Sequence, residues 1–201
     1  CEKAAQWQRA LALIGVMQAA RAVPSTISFC AAMSACAKGS QWQSALRIFT
    51  DMRSAEIVPD VVSYCSVLEA TFDQAVGCEL FCSALNDKVF NGLLTWKGPI
   101  FDLHGLSTGA AMLAVQWRLC QTPPQRVLSR RASRKLRIIT GWGKSRKSWS
   151  TSDIRAAVRE LLQSLELPVI PQRNQGVLDV DIRHLDDPIY SLMCAQARNR
   201  K

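Results

Sequence analysis

The sequence predicts a multidomain chain in which an N-terminal, all-α solenoid of helical repeats precedes a small α/β sandwich. A 35-residue pattern recurs through the first half, and repeated helix pairs of this length stack into solenoids. From about residue 99, short apolar strands alternate with amphipathic helices instead. The charge changes there too: residues 1–98 carry eight Lys/Arg and eight Asp/Glu, whereas residues 99–201 carry seventeen and eight.

The repeat is visible when residues 1–25 are aligned with residues 36–60. Eleven of these 25 positions are identical, among them Trp7/Trp42 and Pro24/Pro59, where average composition would give about one or two. Residues 61–70 then resemble residues 26–35. We therefore divide residues 1–95 into a partial unit (1–25), a full unit (26–60) and a degenerate unit (61–95).

Each unit is predicted to be a pair of helices. Phe29, Met33 and Cys36 lie at helical spacing before the break "KGS", and Pro59 ends the unit because proline cannot continue a helix interior. The second helix carries the apolar stripe Trp42, Ala45, Leu46, Phe49 and Met52.

The second half is predicted to have the order βαβαββ over residues 99–185, followed by a helix or tail at 186–201. The predicted strands are "IFDLHG", "LRIITGWG", "LPVIPQ" and "GVLDVDIRH". The predicted helices are "STGAAMLAVQWRL", capped by Ser107 or Thr108, then "TSDIRAAVRELLQSL" and a short final "DPIYSLMCAQAR".

Asp102 and His104 are the candidate catalytic pair. Residues two apart on a strand face the same side, so both side chains would emerge together while Leu103 turns into the core. A glycine loop, Gly141–Gly143, follows the second buried strand. If the two strands are adjacent, both motifs share one sheet edge, where α/β proteins bind ligands.

A carboxylate and an imidazole beside a cationic glycine loop form a plausible set for phosphodiester cleavage. The imidazole would act as general acid or base, and Asp102 could hold a divalent ion, Mg²⁺ or Mn²⁺. The alternative is structural: Asp102 accepts backbone N–H bonds of the turn. No organic cofactor is expected.

The segment Arg126–Lys147 contains nine basic residues and no acid, which favours a phosphate-bearing partner over a merely solvated loop. Trp142, within the glycine loop, would stack on a base or ribose, or pack on Lys and Arg stems. The candidate phosphate contacts are Gly141, Gly143, Lys144, Arg146, Lys147, Arg134 and Lys135.

Several classes of function are excluded or disfavoured. A P-loop would need glycine at position 138, which is Ile138, and no apolar run approaches the roughly 20 residues of a membrane span. The eight cysteines include no CxxC and no zinc spacing, which favours a reducing compartment.

His184 is expected at the surface among acids. The start at Cys1 suggests a fragment of a longer protein.

With "PDVVSY" at the junction of its 35-residue units, the first half resembles the pentatricopeptide repeat family. The resemblance implies binding of single-stranded RNA, one base per repeat, read by the fifth and last residue of each unit. Those residues are Cys30 with Asp60, Cys65 with Thr95, and Ser25 in the partial unit. The family usually has Asn, Thr or Ser at the fifth position. Cysteine bonds weakly, so packing is the alternative for Cys30 and Cys65.

The second half resembles the small MutS-related (Smr) domain over about residues 99–185. Asp102 and His104 match its Leu-Asp-x-His motif, with Phe101 in place of leucine, and Thr140–Lys144 matches its glycine loop. Many stand-alone Smr domains have His-Gly where this chain has Thr140-Gly141.

Together the two resemblances imply a plastid or mitochondrial protein that binds single-stranded RNA, with DNA as an alternative ligand, and cleaves it as an endonuclease. A docking module without catalysis, and more remotely a scaffold for protein partners, are the alternatives.

Overall fold

A computed structural model describes residues 6–91, 100–121, 135–141, 154–174 and 176–182. These residues form seven helices and a small mixed sheet of four strands, consistent with helical repeats plus an α/β domain. The chain divides into two compact units, Cys1–Val89 and Phe90–Lys201. No helix within the described ranges is long and apolar enough to cross a membrane. The predicted final helix lies outside those ranges.

The helical unit consists of five helices, which run α1 Gln6–Ala19, α2 Thr26–Lys38, α3 Trp42–Ser54, α4 Val61–Thr71 and α5 Ala75–Asn86. Helix α2 packs against α1, α3 and α4, and α4 packs in turn against α3 and α5. Helices that begin successive units, α2 and α4, therefore lie side by side, as expected for stacked hairpins.

The core of the helical unit follows the predicted spacing, except that Ile48 is buried on α3 in place of Trp42 and Leu46. Phe29, Met33 and Cys36 are buried on α2. On α3 the buried stripe is Ala45, Ile48, Phe49 and Met52, whereas Trp42 and Leu46 are only half-buried. Ile48 lies three residues after Ala45 and four before Met52, so it falls on the same face of the helix.

The degenerate third unit also folds as a helix pair. The ring of Tyr64 on α4 meets Phe49 of α3 edge to face, with ring centroids 5.1 Å apart. Gly77 on α5 lies so close to α4 that a Cβ atom there would overlap the carbonyl oxygen of Thr71. Loss of the tryptophan at this point of the repeat is therefore compatible with close helix packing.

In the α/β unit the elements are β1 Ile100–Asp102, α6 Thr108–Gln121, β2 Lys135–Ile139, α7 Ile154–Ser164, β3 Val169–Ile170 and β4 Val177–Asp181. The strand order is β1-β2-β4-β3; β1 and β2 are parallel, and the other pairs are antiparallel. Ser107 caps α6, its Oγ accepting the Ala110 N–H at 3.3 Å. The buried residues of the three longer strands are Phe101, Leu136, Ile138, Leu178, Asp179, Val180 and Asp181.

Candidate functional site

The carboxyl ends of β1 and β2 lie at one edge of the sheet. Asp102 pairs with Ile139 across the two parallel strands, and the Leu103 N–H donates to the Ile139 carbonyl at 2.8 Å. The two strands that carry the sequence motifs are thus neighbours, and the residues that follow them emerge together. Leu103 is fully buried, as the alternation of the strand predicts.

Asp102 and His104 form a hydrogen-bonded pair. Asp102 Oδ1 accepts both the backbone N–H of His104 at 3.0 Å and the ring Nδ1 of His104 at 2.7 Å. Because a carboxylate only accepts, Nδ1 carries a proton, and in the neutral imidazole Nε2 has the lone pair. The His104 side chain is 62% exposed and that of Asp102 is 25% exposed, so Nε2 can reach a bound substrate.

Gly141 lies directly beside His104. Its φ is +80°, and a Cβ atom placed on it would be 3.3 Å from the His104 Cβ. Glycine is favoured there both by the left-handed backbone and by the close approach. The start of the glycine loop is therefore in contact with the candidate pair, so the structure brings Asp102, His104 and Gly141 together.

Of the other candidate phosphate contacts, the structure describes Lys135. This residue begins β2, opposite Asp181, and so lies at the end of the strand away from Ile139 and the candidate pair. Trp142, Gly143, Lys144, Arg146, Lys147 and Arg134 lie outside the described residues, as does His184.

An ion pair that the sequence analysis missed ties β2 to β4. Arg137 and Asp179 face each other in the register, and the guanidinium donates to both carboxylate oxygens, at 2.8 and 2.9 Å. Gln172 donates to the same carboxylate at 2.9 Å. The Arg137 guanidinium lowers the pKa of the buried Asp179 carboxyl below its ordinary value. One cation of the basic run is therefore paired with a carboxylate of the same sheet.

Asp102 is the only carboxylate in the candidate pair. In the described part of the chain, no three His, Cys, Asp or Glu residues come together as a metal site. Within the described residues, Asp102 accepts its two hydrogen bonds at Oδ1, which leaves Oδ2 as an oxygen ligand. Mg²⁺ is often held by one or two carboxylates, substrate phosphates and water, so this arrangement is compatible with that cation.

In the helical unit, two of the candidate base-reading residues cap helices. Ser25 begins α2, and its Oγ accepts the Ser28 N–H at 3.3 Å. Asp60 begins α4, and its Oδ1 accepts the Ser63 N–H at 2.8 Å. Both caps are exposed, so each retains acceptor capacity towards solvent.

Cys30 is joined to Asp60 through Ser63. The Ser63 hydroxyl donates to Asp60 Oδ1 at 2.7 Å, and its oxygen is 3.4 Å from Cys30 Sγ. Since the hydroxyl has one proton, the Cys30 thiol is the donor in the second bond. Burial raises the pKa of this thiol, which therefore stays protonated. These contacts match the packing alternative for Cys30; Cys65 is half-buried, and Thr95 lies outside the described residues.

Two exposed apolar residues were missed by the sequence analysis. Ile27 is 79% exposed and Val62 is 58% exposed. They lie 35 residues apart, each two positions after a cap, and so form a repeated surface with Ser25 and Asp60. The signal was present in the sequence as apolar residues at the same position of successive units.

Comparison with known proteins gives one partial similarity. The chain is 29% identical over 107 residues to a pentatricopeptide repeat-containing protein of Arabidopsis thaliana. That alignment spans 53% of this chain and 12% of the relative's length. No family model matches the chain. The similarity supports a protein of the pentatricopeptide repeat type.

Proposed function

We propose that this chain binds single-stranded RNA through its helical repeats and that its α/β unit, which resembles an Smr domain, contacts and cleaves the phosphodiester backbone. The observation that carries the proposal is the surface repeated on α2 and α4. It combines an exposed cap oxygen, Ser25 or Asp60, with an exposed apolar side chain, Ile27 or Val62.

This surface suits unpaired bases. A base has two flat, weakly polar faces and an edge of donors and acceptors, and proteins bind unpaired bases by stacking or packing on the faces while bonding the edge. Ile27 and Val62 would pack on the faces, and the cap oxygens would accept from base N–H groups. Cys30 would contribute little to base choice because its S–H already donates a hydrogen bond to Ser63 Oγ.

For the α/β unit, the proposal is supported by the strand–helix–strand–helix–strand–strand order and by the contact between His104 and Gly141. His104 Nε2 would act as general base, because Asp102 fixes the tautomer and the ring orientation. Asp102 Oδ2 would hold Mg²⁺ or Mn²⁺, which supplies Lewis-acid polarisation of a phosphoryl oxygen. Lys144, Arg146 and Lys147 would stabilise the developing charge. By the same resemblance we place the protein in a plastid or mitochondrion.

A docking module without catalysis is the second candidate. It is favoured by the bond from the His104 backbone N–H to Asp102 Oδ1, because this bond would stabilise the turn whether or not the imidazole reacts. The two candidates share RNA binding and differ only in cleavage.

The binding proposal is tested with a labelled single-stranded RNA and the double variant Ile27→Ser/Val62→Ser. We expect affinity to fall by about tenfold or more, since each lost base contact is worth roughly 1–3 kcal/mol. Leu13→Ser is the matched control, because Leu13 is also a large apolar residue, 64% exposed, but belongs to α1 and not to the repeated surface of α2 and α4. Equal affinities for all three proteins would contradict the proposal.

Cleavage is tested with end-labelled RNA, with and without Mg²⁺ or Mn²⁺, in Asp102→Asn and His104→Gln. Asparagine can still accept the turn N–H, so Asp102→Asn separates the structural role of Asp102 from its charge. We expect both variants to bind RNA as the parent does and to lose cleavage. Failure of the parent to cut RNA or DNA under any of these conditions would favour the docking module.

A further inference from the structure

The α/β unit contains a cleft of about 600 Å³ between α7 and the β3–β4 hairpin. Its α7 wall carries Arg155, Arg159 and Gln163, and its opposite wall is largely apolar. The Arg155 guanidinium donates to the carbonyl of Val177 at 3.3 Å. The first turn of α7 therefore lies over the start of β4, and both line one end of the cleft.

The end of the cleft that Arg155 and Val177 line is at the same end of the sheet as the candidate pair. Asp102, Ile139 and Val177 form one row across β1, β2 and β4. Adjacent strands are about 4.8 Å apart, so the row spans about 10 Å. The Thr140 N–H, next to Gly141, donates to the carbonyl of Gly176 at 2.9 Å. The nearest lining residue of the cleft in this row, Val177, is therefore about 10 Å from Asp102 across the sheet.

The charges that line the cleft favour an anion. Arg155 and Arg159 are four residues apart on α7, hence on one face, and among the described residues Glu166 is the one acid that lines the cleft. Within the described ranges Arg159 makes no hydrogen bond or ion pair, and it is exposed. The nearby Asp179 carboxylate is paired with Arg137 and accepts a hydrogen bond from Gln172. Guanidinium groups match phosphate oxygens in shape and charge.

We propose that this cleft is a second backbone-binding subsite, in which a single strand held at Asp102, His104 and Gly141 continues along α7 with its phosphates against Arg159 and Arg155. The ligand is the phosphodiester backbone of RNA or single-stranded DNA, bound without regard to sequence. This inference rests on the proposed function, because it extends the strand that the proposed site holds.

Gln163 allows the subsite to be tested with charges of both signs. It is exposed, lines the cleft and makes no hydrogen bond among the described residues. In the full chain, Gln163→Lys should tighten binding of labelled oligouridine and oligothymidine, and Gln163→Glu should weaken it, each by roughly two- to fivefold. Arg159→Gln should weaken binding similarly and lower the slope of log affinity against log salt by about 0.7.

Arg173→Gln is the charge-matched control. Arg173 is an exposed arginine of the same unit, in the β3–β4 hairpin, and it does not line the cleft. Circular dichroism melting curves would confirm that all four variants remain folded. Affinities that fall in the order Gln163→Lys, parent, Gln163→Glu, with Arg173→Gln near the parent, would support the subsite.

Two other outcomes separate this inference from the proposed function. If the parent binds oligouridine and oligothymidine, and the Gln163 and Arg159 variants bind them with unchanged affinity and salt slope, the subsite is wrong while the proposed function stands. If the parent binds neither RNA nor DNA, the proposed function fails and the subsite fails with it.

Discussion

At the scale of single residues, Asp102 makes the bonds expected both of a structural and of a catalytic aspartate. Its Oδ1 accepts both the turn N–H and the imidazole of His104. The turn bond holds the His104 backbone while the ring bond orients the imidazole, so the geometry is compatible with either role. The two roles are separable only by a change that removes charge and keeps the acceptor.

Asp179→Asn should lower the thermal stability at neutral pH, because it removes the carboxylate that holds Arg137. The pKa of Asp179 is lowered in the folded state. Its contribution to stability is therefore present above the ordinary aspartate pKa and is lost as the pH falls through the lower folded value.

Melting temperatures of the parent and Asp179→Asn, measured from neutral pH downwards, check this. The two should converge under acidic conditions. A difference that stays constant down to strongly acidic pH would mean that packing, not charge, accounts for the effect. Asp73→Asn is the control, because Asp73 makes no hydrogen bond or ion pair among the described residues.

Gly141→Ala should destabilise the α/β unit by about 1–2 kcal/mol, since alanine disfavours the left-handed backbone at φ +80°. Gly141→Asn should recover part of that loss, because asparagine tolerates this conformation. Both variants add a Cβ atom 3.3 Å from the His104 Cβ, so both should impair cleavage if the pair is catalytic. Denaturant unfolding and the RNA cleavage assay provide the two measurements.

At the scale of elements, the degenerate third unit is held by close packing of α5 on α4. The hydroxyl of Tyr64 donates to Asp87 at 2.7 Å, which ties α4 to the end of α5. Gly77 allows the first turn of α5 to approach the end of α4. The unit thus has a helix pair without the tryptophan seen at this position in the first two units.

Gly77→Ala tests this packing. The added Cβ would overlap the Thr71 carbonyl, and we expect a loss of about 1–3 kcal/mol from overpacking. Gly15→Ala is the matched control, because Gly15 is also helical and has nothing within 4 Å of its Cβ position. There we expect a gain of about 0.5–1 kcal/mol. Equal effects of the two substitutions on urea unfolding would rule out close packing at Gly77.

At the scale of the whole molecule, the excess of positive charge is confined to the second half of the sequence. Part of it is neutralised within the fold, because Arg137 is paired with Asp179. The cations of the Arg126–Lys147 run that are expected to contact phosphates are Arg134, Lys135, Lys144, Arg146 and Lys147.

RNA affinity should therefore depend steeply on salt, and the triple variant Lys144→Gln/Arg146→Gln/Lys147→Gln should reduce that dependence. Each lost phosphate contact lowers the slope of log affinity against log salt by about 0.7, or about 2 for all three. Binding titrations at several salt concentrations measure this. A parent slope near zero would favour the scaffold for protein partners.

The sequence by itself determined the helix pairs, the position of the strands and the placement of Asp102, His104 and Gly141 at strand ends. These features depend on local periodicity and turn residues, which are written along the chain. Ser25 and Asp60 are also recognisable locally as residues of functional interest. The sequence predicts that they read bases, and the structure shows that each also accepts a backbone N–H at the start of a helix.

The tertiary structure decided what the strand order brings together. Only the pairing of β1 with β2 places Gly141 against His104, and only the β2–β4 register sets Arg137 opposite Asp179. Likewise the cleft joins α7 to a hairpin that follows it in sequence, and the chain from Cys30 through Ser63 to Asp60 links two units. These contacts depend on how whole elements pack in three dimensions, so no local pattern could specify them.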